Sequence, residues 1–184
     1  MNTINEITNK LRSHDNKIAL GAIEALRARG WLEDGHINAK TFCKAQFQGA
    51  DLFKANLRGC DFHQTQLEWA DLSNADLTRA KLTRTNLSNA NFTSTTFNNA
   101  DLYKANLRGA RNLTEEQLMN VTRLSGAIMP DGKQYDGRFN LPGDLQLAEW
   151  NNIDTNSPKE MADFYGVALE AYLHGRVKVE INPA

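Results

Sequence analysis

A large apolar residue recurs at every fifth position from Phe42 to Leu107, and this period constrains the fold more than any other feature of the 184-residue chain. An α-helix repeats its faces every 3.6 residues and a strand every two, so neither buries such a series on one side. A chain that turns a corner after each block of five residues does bury it. The residues in this series are Phe42, Phe47, Leu52, Leu57, Phe62, Leu67, Leu72, Leu77, Leu82, Leu87, Phe92, Phe97, Leu102 and Leu107.

The residue two positions before each apolar centre from Phe47 to Leu107 is small. These small residues are Ala45, Ala50, Ala55, Cys60, Thr65, Ala70, Ala75, Ala80, Thr85, Ala90, Thr95, Ala100 and Ala105. A narrow tube needs one large and one small inward residue on each side, while the other three positions of a block can face water. The sequence therefore predicts a tube with the centres and the small residues inside.

The blocks AQFQG ADLFK ANLRG CDFHQ TQLEW ADLSN ADLTR AKLTR and their continuation resemble the pentapeptide repeat family, whose consensus is A(D/N)LXX. The segments RARGWLEDG, LTEEQL, GAIMPDG and YDGRFNLPGDL resemble the flanks of bacterial members. The resemblance implies a mainly β fold, a right-handed quadrilateral parallel β-helix with four blocks per coil. Residues twenty apart would then stack about 4.8 Å apart on one face. We expect the inward hydroxyls of Thr65 and Thr85 to donate to backbone carbonyls, since a buried hydroxyl without a partner is costly.

The flanks of the repeat predict helical caps. Residues 1–31 form the predicted N-terminal cap, with an N-cap at Asp15 and a second apolar stripe from Ile18 to Leu26. The β-helix is expected over residues 32–111 because Leu32 and Ile37 already share the five-residue phase.

Two further segments follow the repeat. Residues 112–146 form a predicted closing segment of turns and one short helix, which begins at a capping box of Thr114 and Gln117. Residues 147–184 form a predicted helical extension with one helix starting after Ser157, a second over 168–174 and a loose tail from residue 176.

The sequence predicts no enzyme, and therefore no catalytic residue, no cofactor and no metal. Nucleotide-binding loops, zinc motifs and nucleophile elbows are absent from it. Cys43 and Cys60 form neither a CxxC site nor a disulfide framework. His63 would lie above Cys43 on one face, but an open face with no orienting carboxylate favours a solvated surface over catalysis.

The N-terminus MNTINEITNK is polar, and no run of about 18 apolar residues occurs in the chain. We therefore expect a cytoplasmic protein without a membrane-bound segment. We expect a monomer, or a homodimer that forms through one of the caps.

The outward positions are the candidates for partner binding. Lys44, Gln64, Arg84 and Lys104 would form one mostly basic stripe, with His63 and Tyr103 on the same side. Asp61, Lys81 and Asp101 beside it alternate in sign, which predicts mutual stabilisation. Phe53 and Trp69 point outward elsewhere, where each either anchors a partner or packs under a terminal helix or a loop.

These features favour a protein–protein interaction scaffold for an unidentified protein partner. One alternative is a DNA-mimicking modulator of a type II topoisomerase such as gyrase, but residues 40–111 carry ten Lys and Arg against six Asp and Glu. A second alternative is DNA binding through KEMADFYGVALEAYLHG, which resembles a helix-turn-helix. This segment offers few cations for phosphates, so the sequence does not favour nucleic acid.

Overall fold

The computed structural model describes the backbone of residues 3–181 and the side chains of residues 3–177. Its helices are α1 (Ile4–Leu11), α2 (Asn16–Arg27), α3 (Glu115–Met119), α4 (Pro142–Trp150), α5 (Pro158–Tyr165) and α6 (Leu169–Ile181). Single-residue β-bridges, rather than longer strands, provide the β structure of residues 3–181. Among the described helices, none combines the length and the apolar character that crossing a membrane requires.

The repeat forms coils of twenty residues, each with four sides of five residues. Thr41 forms a parallel bridge with Asp61, and Asp61 forms the next with Lys81. The Phe42 N–H donates to the Asp61 carbonyl at 2.7 Å, so the backbone of each coil is satisfied by the next. We number the sides by their centres: face 1 has Phe42, Phe62, Leu82 and Leu102; face 2 has Phe47, Leu67, Leu87 and Leu107; face 3 has Leu52, Leu72 and Phe92; face 4 has Leu57, Leu77 and Phe97.

All fourteen centres are buried, and none is more than 3% exposed. Aromatic rings fill both ends of the tube, with the Phe42 and Phe62 ring centroids 5.5 Å apart at one end and those of Phe92 and Phe97 5.2 Å apart at the other. Leucines fill the middle, and each fully buried leucine contributes about 1.5–3 kcal/mol of hydrophobic stabilisation.

The inward threonines satisfy their hydroxyls on the backbone of the preceding coil, which confirms the expectation for Thr65 and Thr85. Their Oγ1 atoms donate to the Phe42 and Phe62 carbonyls at 2.7 Å each. Thr95 donates in the same way to a carbonyl at 2.7 Å. A hydroxyl thus replaces an alanine methyl inside the tube without an unsatisfied polar group.

An ion pair also links neighbouring coils on face 4, where Arg58 Nη1 lies 2.9 Å from Asp76 Oδ2. Burial alone would raise the pKa of Asp76, but hydrogen bonds from Thr78 and Arg58 hold it below the ordinary value of 3.8. The folded state therefore stabilises the ionised carboxylate.

The first coil would leave a row of carbonyls unpaired at its edge, and side chains from the N-terminal helices bind them. Arg12 Nε donates to the Thr41 carbonyl at 2.9 Å, at the end of α1. Arg27 Nη2, at the end of α2, donates to the carbonyls of Asp51 at 2.9 Å and Phe53 at 3.2 Å. These contacts cover an edge that would otherwise pair with another chain.

Helix α2 begins as predicted at Asp15, whose carboxylate accepts the N–H of Lys17 at 2.9 Å. The prediction that the apolar stripe runs from Ile18 to Leu26 was wrong for Ile18, because this side chain is 47% exposed. The buried face of α2 consists of Ala19, Ala22, Ile23 and Leu26. Ile18 lies at the start of the helix, one residue before this face.

The coil continues beyond residue 111. Helix α3 begins at the predicted capping box and takes the place of one side of the coil. The segment that contains α3 has two residues more than the part of a regular coil that it replaces. Asp101 consequently bridges to Arg123, and Asn106 to Ile128, at a separation of 22 residues instead of 20. The predicted end of the β-helix at residue 111 is too early, because the five-residue period is lost there although the coil continues.

Helix α4 was not predicted, and the boundary placed between residues 146 and 147 falls inside it. Its N-cap, Leu141, makes no side-chain cap hydrogen bond, and Pro142 starts the helix instead. The α4 residue Asp144 is 0% exposed, and its carboxylate accepts the N–H groups of Leu124 at 3.1 Å and Ser125 at 3.0 Å. The Leu124 amide is one that a further coil would bind, as the Leu102 N–H donates to the Arg123 carbonyl of the coil that follows it. Burial raises the pKa of Asp144 above 3.8.

Helix α5 starts at the predicted Ser157 cap and ends at Gly166, whose φ of +69° suits the left-handed helix terminus. Helix α6 runs to Ile181, so the prediction of a loose tail from residue 176 was wrong as far as residue 181. The sequence RVKVEI contains no glycine or proline that would end the helix earlier. The remainder of the predicted tail, residues 182–184, lies outside the described residues.

Candidate binding face

The structure brings five of the seven predicted partner-binding residues onto face 1 and separates the other two. Lys44, His63, Arg84, Tyr103 and Lys104 all belong to sides whose centres stack at twenty-residue intervals. Trp69 lies on face 2 and Phe53 on face 3. The seven residues therefore do not form one surface.

Face 1 carries most of the positive excess of residues 41–111. Its outward residues are Lys44, Lys81, Arg84 and Lys104 against Asp61 and Asp101, whereas face 2 has Arg108 against Glu68, face 3 has Lys54 and Arg111 against Asp51 and Asp71, and face 4 has Arg58 and Arg79 against Asp76. No face of the array has a negative net charge on this count. The DNA-mimic alternative therefore lacks the acidic surface that mimicry of phosphates requires.

The cations of face 1 stand on rigid corners of the coil. Lys44, Arg84 and Lys104 have φ of +61°, +57° and +56°. The backbone N–H of each donates to the next coil, as from Arg84 to the Tyr103 carbonyl at 2.9 Å. All three side chains are exposed. Because coils stack about 4.8 Å apart, Lys104 and Arg84 are neighbours, and the neutral Gln64 separates Arg84 from Lys44.

Tyr103 lies between two cations at the C-terminal end of face 1. Its ring centroid is 5.1 Å from Lys104 Nζ and 5.0 Å from Arg123 Cζ. Arg123 in turn binds the Asp101 carboxylate through Nε at 3.1 Å and through Nη2. The hydrogen bond from this arginine to Asp101 raises the pKa of Arg123. The ring is therefore held in place by charge–π contacts and an ion pair.

Arg123 is the functional candidate that the sequence analysis missed. It aligns with Asp101 only after the two extra residues of the α3 segment are counted. The apolar residue Leu124, 0% exposed, could have indicated that an inward centre resumes here. The expected mutual stabilisation of Asp61, Lys81 and Asp101 was wrong for Lys81. Asp101 pairs with Arg123 instead, and among the described side chains Lys81 has no ion pair within 4.0 Å.

The Cys43 and His63 pair shows none of the features of an activated nucleophile. Cys43 Sγ donates to Asp61 Oδ1 at 3.4 Å, and burial together with this carboxylate raises the pKa of Cys43. A catalytic thiolate requires the opposite shift. Cys60 is buried, which raises its pKa to about 12, and both cysteines are free. In the described part of the chain, no group of three His, Cys, Asp or Glu residues could hold a metal ion.

The two remaining predicted residues have different surroundings. Phe53 is half-buried, with Lys54 Nζ 5.2 Å from its ring centroid and its carbonyl bound by Arg27. Trp69 is 63% exposed. The alternative in which a terminal helix or a loop covers Trp69 is therefore wrong.

The segment that resembles a helix-turn-helix forms α5 and α6, joined at Gly166. Arg176 is the single arginine or lysine among α6 residues 169–177, and its guanidinium donates to Asn140 and to the Tyr172 hydroxyl. This part of α6 therefore offers no free cation for a phosphate backbone.

Comparison with known proteins gives one family. A model of pentapeptide repeats matches residues 45–84 and 70–109, with eight copies. No curated protein matches the chain significantly.

Solved structures similar to the chain are also pentapeptide repeat proteins. HetL from the cyanobacterium Nostoc sp. strain PCC 7120 is 32% identical over 50% of this chain and 42% of its own, with a TM-score of 0.46. Rfr23 from the cyanobacterium Cyanothece 51142 is 30% identical over 49% of this chain and 56% of its own, with a TM-score of 0.40. A thylakoid lumen protein of Arabidopsis thaliana is 24% identical over 61% of this chain and 74% of its own, with a TM-score of 0.42. The chain thus spans about half the length of the first two.

Proposed function

Residues 45–109 of the chain belong to the pentapeptide repeat family, and from this premise we propose that the protein is a non-enzymatic scaffold. In this proposal the coils form a right-handed β-helix, and its face 1 binds an acidic surface of a protein partner. Shape and charge complementarity provide the affinity, without covalent chemistry.

The supporting observation is a row of exposed cations without counter-ions. Among the described side chains, Lys44, Arg84 and Lys104 have no ion pair within 4.0 Å, although they stand in one column. Like charges that stack between neighbouring strands are unfavourable. Carboxylates of a partner relieve this repulsion. Binding therefore removes an unfavourable electrostatic energy that is present in the free protein.

Tyr103 supplies an anchor at one end of the column. Tyrosine and arginine are enriched among the residues that dominate interface energies. The cations on both sides restrict the ring of Tyr103 before binding, which reduces the entropy lost on association. Face 1 therefore combines steering by charge with a preorganised aromatic contact.

The test is the double charge reversal Arg84→Glu with Lys104→Glu. Its matched control is Lys54→Glu with Arg79→Glu, because these two exposed cations occupy the same corner position, with φ of +56° and +60°, on faces 3 and 4. Wild-type protein captures partners from lysate of the native cell, and the affinity of each recovered partner is then measured with purified proteins. We expect the face 1 variant to lose at least about tenfold in affinity and the control to stay within about twofold.

Salt provides a second measurement. Binding through face 1 should weaken between low and physiological ionic strength, because exposed charges are screened beyond about 8–10 Å. Equal affinities for the wild type and the face 1 variant, or an equal loss in both double variants, would refute the assignment of face 1.

A further inference from the structure

Helix α4 lies directly against the last row of face 1, residues 122–126. The Gly143 N–H donates to the Thr122 carbonyl at 3.0 Å. A side-chain carbon added at Gly143 would lie 2.6 Å from Arg123 Cγ, so the start of the helix is in close contact with the arginine that stacks on Tyr103. Helix α4 therefore begins where the aromatic end of face 1 stops.

The basic column of face 1, which consists of Lys44, Arg84 and Lys104, reaches the same row. The Lys104 N–H donates to the Ser125 carbonyl at 3.0 Å. Lys104 Cγ lies 2.8 Å from the place of a side-chain carbon at Gly126, so the lysine side chain extends over the row that α4 contacts. The basic column and α4 are consequently parts of one continuous surface.

A groove of about 850 Å³ lies on this surface, between Arg123 and α4. Its α4 side includes the half-buried Leu147 and the exposed ring of Trp150. Trp150 is 72% exposed, so the described residues do not cover it. Glu149 is the one carboxylate among the residues that line the groove, and it disfavours a second carboxylate there. The groove is therefore suited to an uncharged apolar side chain, whereas the basic column is suited to carboxylates.

The spacing of the basic column matches an α-helix. Coils stack about 4.8 Å apart, and helix side chains at positions i and i+4 lie about 5–6 Å apart. Carboxylates one turn apart can therefore bind Lys104 and Arg84 together. Lys44 lies two coils, or about 10 Å, beyond Arg84, which corresponds to about two helical turns. An extended strand presents side chains on one side only every 6.8 Å or so, and this interval does not match the coils.

We propose that the partner contributes an acidic helix that ends in apolar residues. This inference rests on the proposed function of face 1 and specifies what that face binds. The carboxylates of the helix bind the basic column, and its apolar end occupies the groove beside Trp150, as amphipathic helices do in other apolar grooves. Tryptophan and arginine often dominate interface energies, and an apolar side chain in the groove also excludes water from the neighbouring ion pairs.

The experiment measures binding of three fluorescein-labelled peptides to the whole chain by fluorescence anisotropy. Each peptide has about 18 residues, is rich in alanine and is held helical by a hydrocarbon staple on its outer side. The full probe carries glutamates at positions i, i+4 and i+11, which lie on one side of a helix, and a phenylalanine–leucine pair one turn before the first glutamate. The alanine probe lacks the phenylalanine–leucine pair, and the glutamine probe lacks the three glutamates.

Two pairs of variants separate the groove from the basic column. Trp150→Ala removes the exposed ring of the groove, and Trp69→Asn is its control because Trp69 is 63% exposed on face 2, in a column with Gly49, Asn89 and Gly109. Arg84→Glu with Lys104→Glu reverses the basic column, and Lys54→Glu with Arg79→Glu is again its control. Circular dichroism and thermal unfolding verify that each variant is folded.

The full probe should bind the wild type with a Kd below about 100 μM. Its affinity should fall at least about tenfold in Trp150→Ala and in the double variant of the basic column, and should stay within about twofold in both controls. The alanine and glutamine probes should each bind the wild type at least about tenfold more weakly than the full probe. Trp150→Ala should not weaken the alanine probe, because this peptide brings no group to the groove.

The role of the groove is refuted if the full and alanine probes bind the wild type equally, or if Trp150→Ala weakens both probes to the same extent. If both probes nevertheless bind more weakly to the double variant of the basic column, the proposed function of face 1 is supported without the groove. Failure of the full probe to bind at about 1 mM overturns the acidic helix, and the capture of partners from lysate then tests the proposed function independently.

Discussion

Replacing Arg27 with methionine tests how the open edge of the first coil is stabilised. The substitution keeps the apolar stem but removes the hydrogen bonds to the carbonyls of Asp51 at 2.9 Å and Phe53 at 3.2 Å. Hydrogen bonds from charged donors contribute about 1.5–3 kcal/mol each when buried. The Arg27 side chain is 29% exposed, so we take about 1–1.5 kcal/mol for each bond. The ion pair with Asp51 adds little because that carboxylate is 64% exposed.

The expected loss is therefore about 2–3 kcal/mol of unfolding free energy, or about 4–12 °C in the thermal midpoint of a chain of this size. Urea denaturation followed by circular dichroism measures it. Arg29→Met is the control because Arg29, two residues after the end of α2, donates back to the Ala25 carbonyl of that helix at 2.8 Å and stacks on Trp31, without a hydrogen bond to the first coil among the described residues. It should cost less than about 1 kcal/mol.

Amide hydrogen exchange locates the effect. In Arg27→Met, exchange of the Leu52 and Lys54 amides should accelerate, since their bonds to the second coil lie next to the lost cap. The Leu107 amide, at the opposite end, should keep its protection. A stability equal to that of Arg29→Met, or acceleration spread evenly over both ends, would refute the role of Arg27 as an edge cap.

Three further substitutions test the core and two carboxylates by urea denaturation. Leu72→Ala should cost about 2–5 kcal/mol because the site is 0% exposed and cannot collapse, and a loss below about 1 kcal/mol would contradict the inward assignment. Asp144→Ala should cost about 1–3 kcal/mol by leaving the Leu124 amide without an acceptor. This loss of unfolding free energy should become smaller as pH rises. Because the pKa of Asp144 is raised in the folded protein, the wild type loses stability as pH rises from 3.8 to that pKa. A loss that stays constant or grows with pH would contradict this. Asp76→Asn should show the opposite trend, with a cost at neutral pH that disappears as pH falls below 3.8 through the lowered pKa of Asp76, and a cost independent of pH would refute the pairing with Arg58.

The period of five predicts the coil because it is a local rule. Each block specifies which of its residues point inward, so fourteen repetitions leave few alternative conformations for the chain between Phe42 and Leu107. Because residues twenty apart stack, the sequence also places Arg84 two coils above Lys44. No side-chain contact has to be known for this inference. The corner residues follow as well, because their outward direction is set by their place in the block.

The ends of the coil could not be predicted in this way, because they depend on contacts between distant residues. Asp144 accepts amides 20 and 19 residues earlier in the chain, and α4, the helix that carries it, has no side-chain cap that a sequence pattern would reveal. Arg123 reaches Asp101 only because the α3 segment adds two residues to one coil. The isolation of Trp69 is likewise a property of its neighbours on other coils rather than of its own block.

The two different closures of the tube restrict how such a chain can change its length during evolution. Arg27 and Asp144 each recognise particular sides, so the segments that carry them must keep their angular relation around the axis. Duplication of one five-residue block would rotate everything beyond it by a quarter turn and bring α4 over the wrong side. Duplication of twenty residues would restore the angle and only lengthen the rod. Homologues with the same closures should therefore differ by whole coils, and gaps in their alignment should come in multiples of twenty residues.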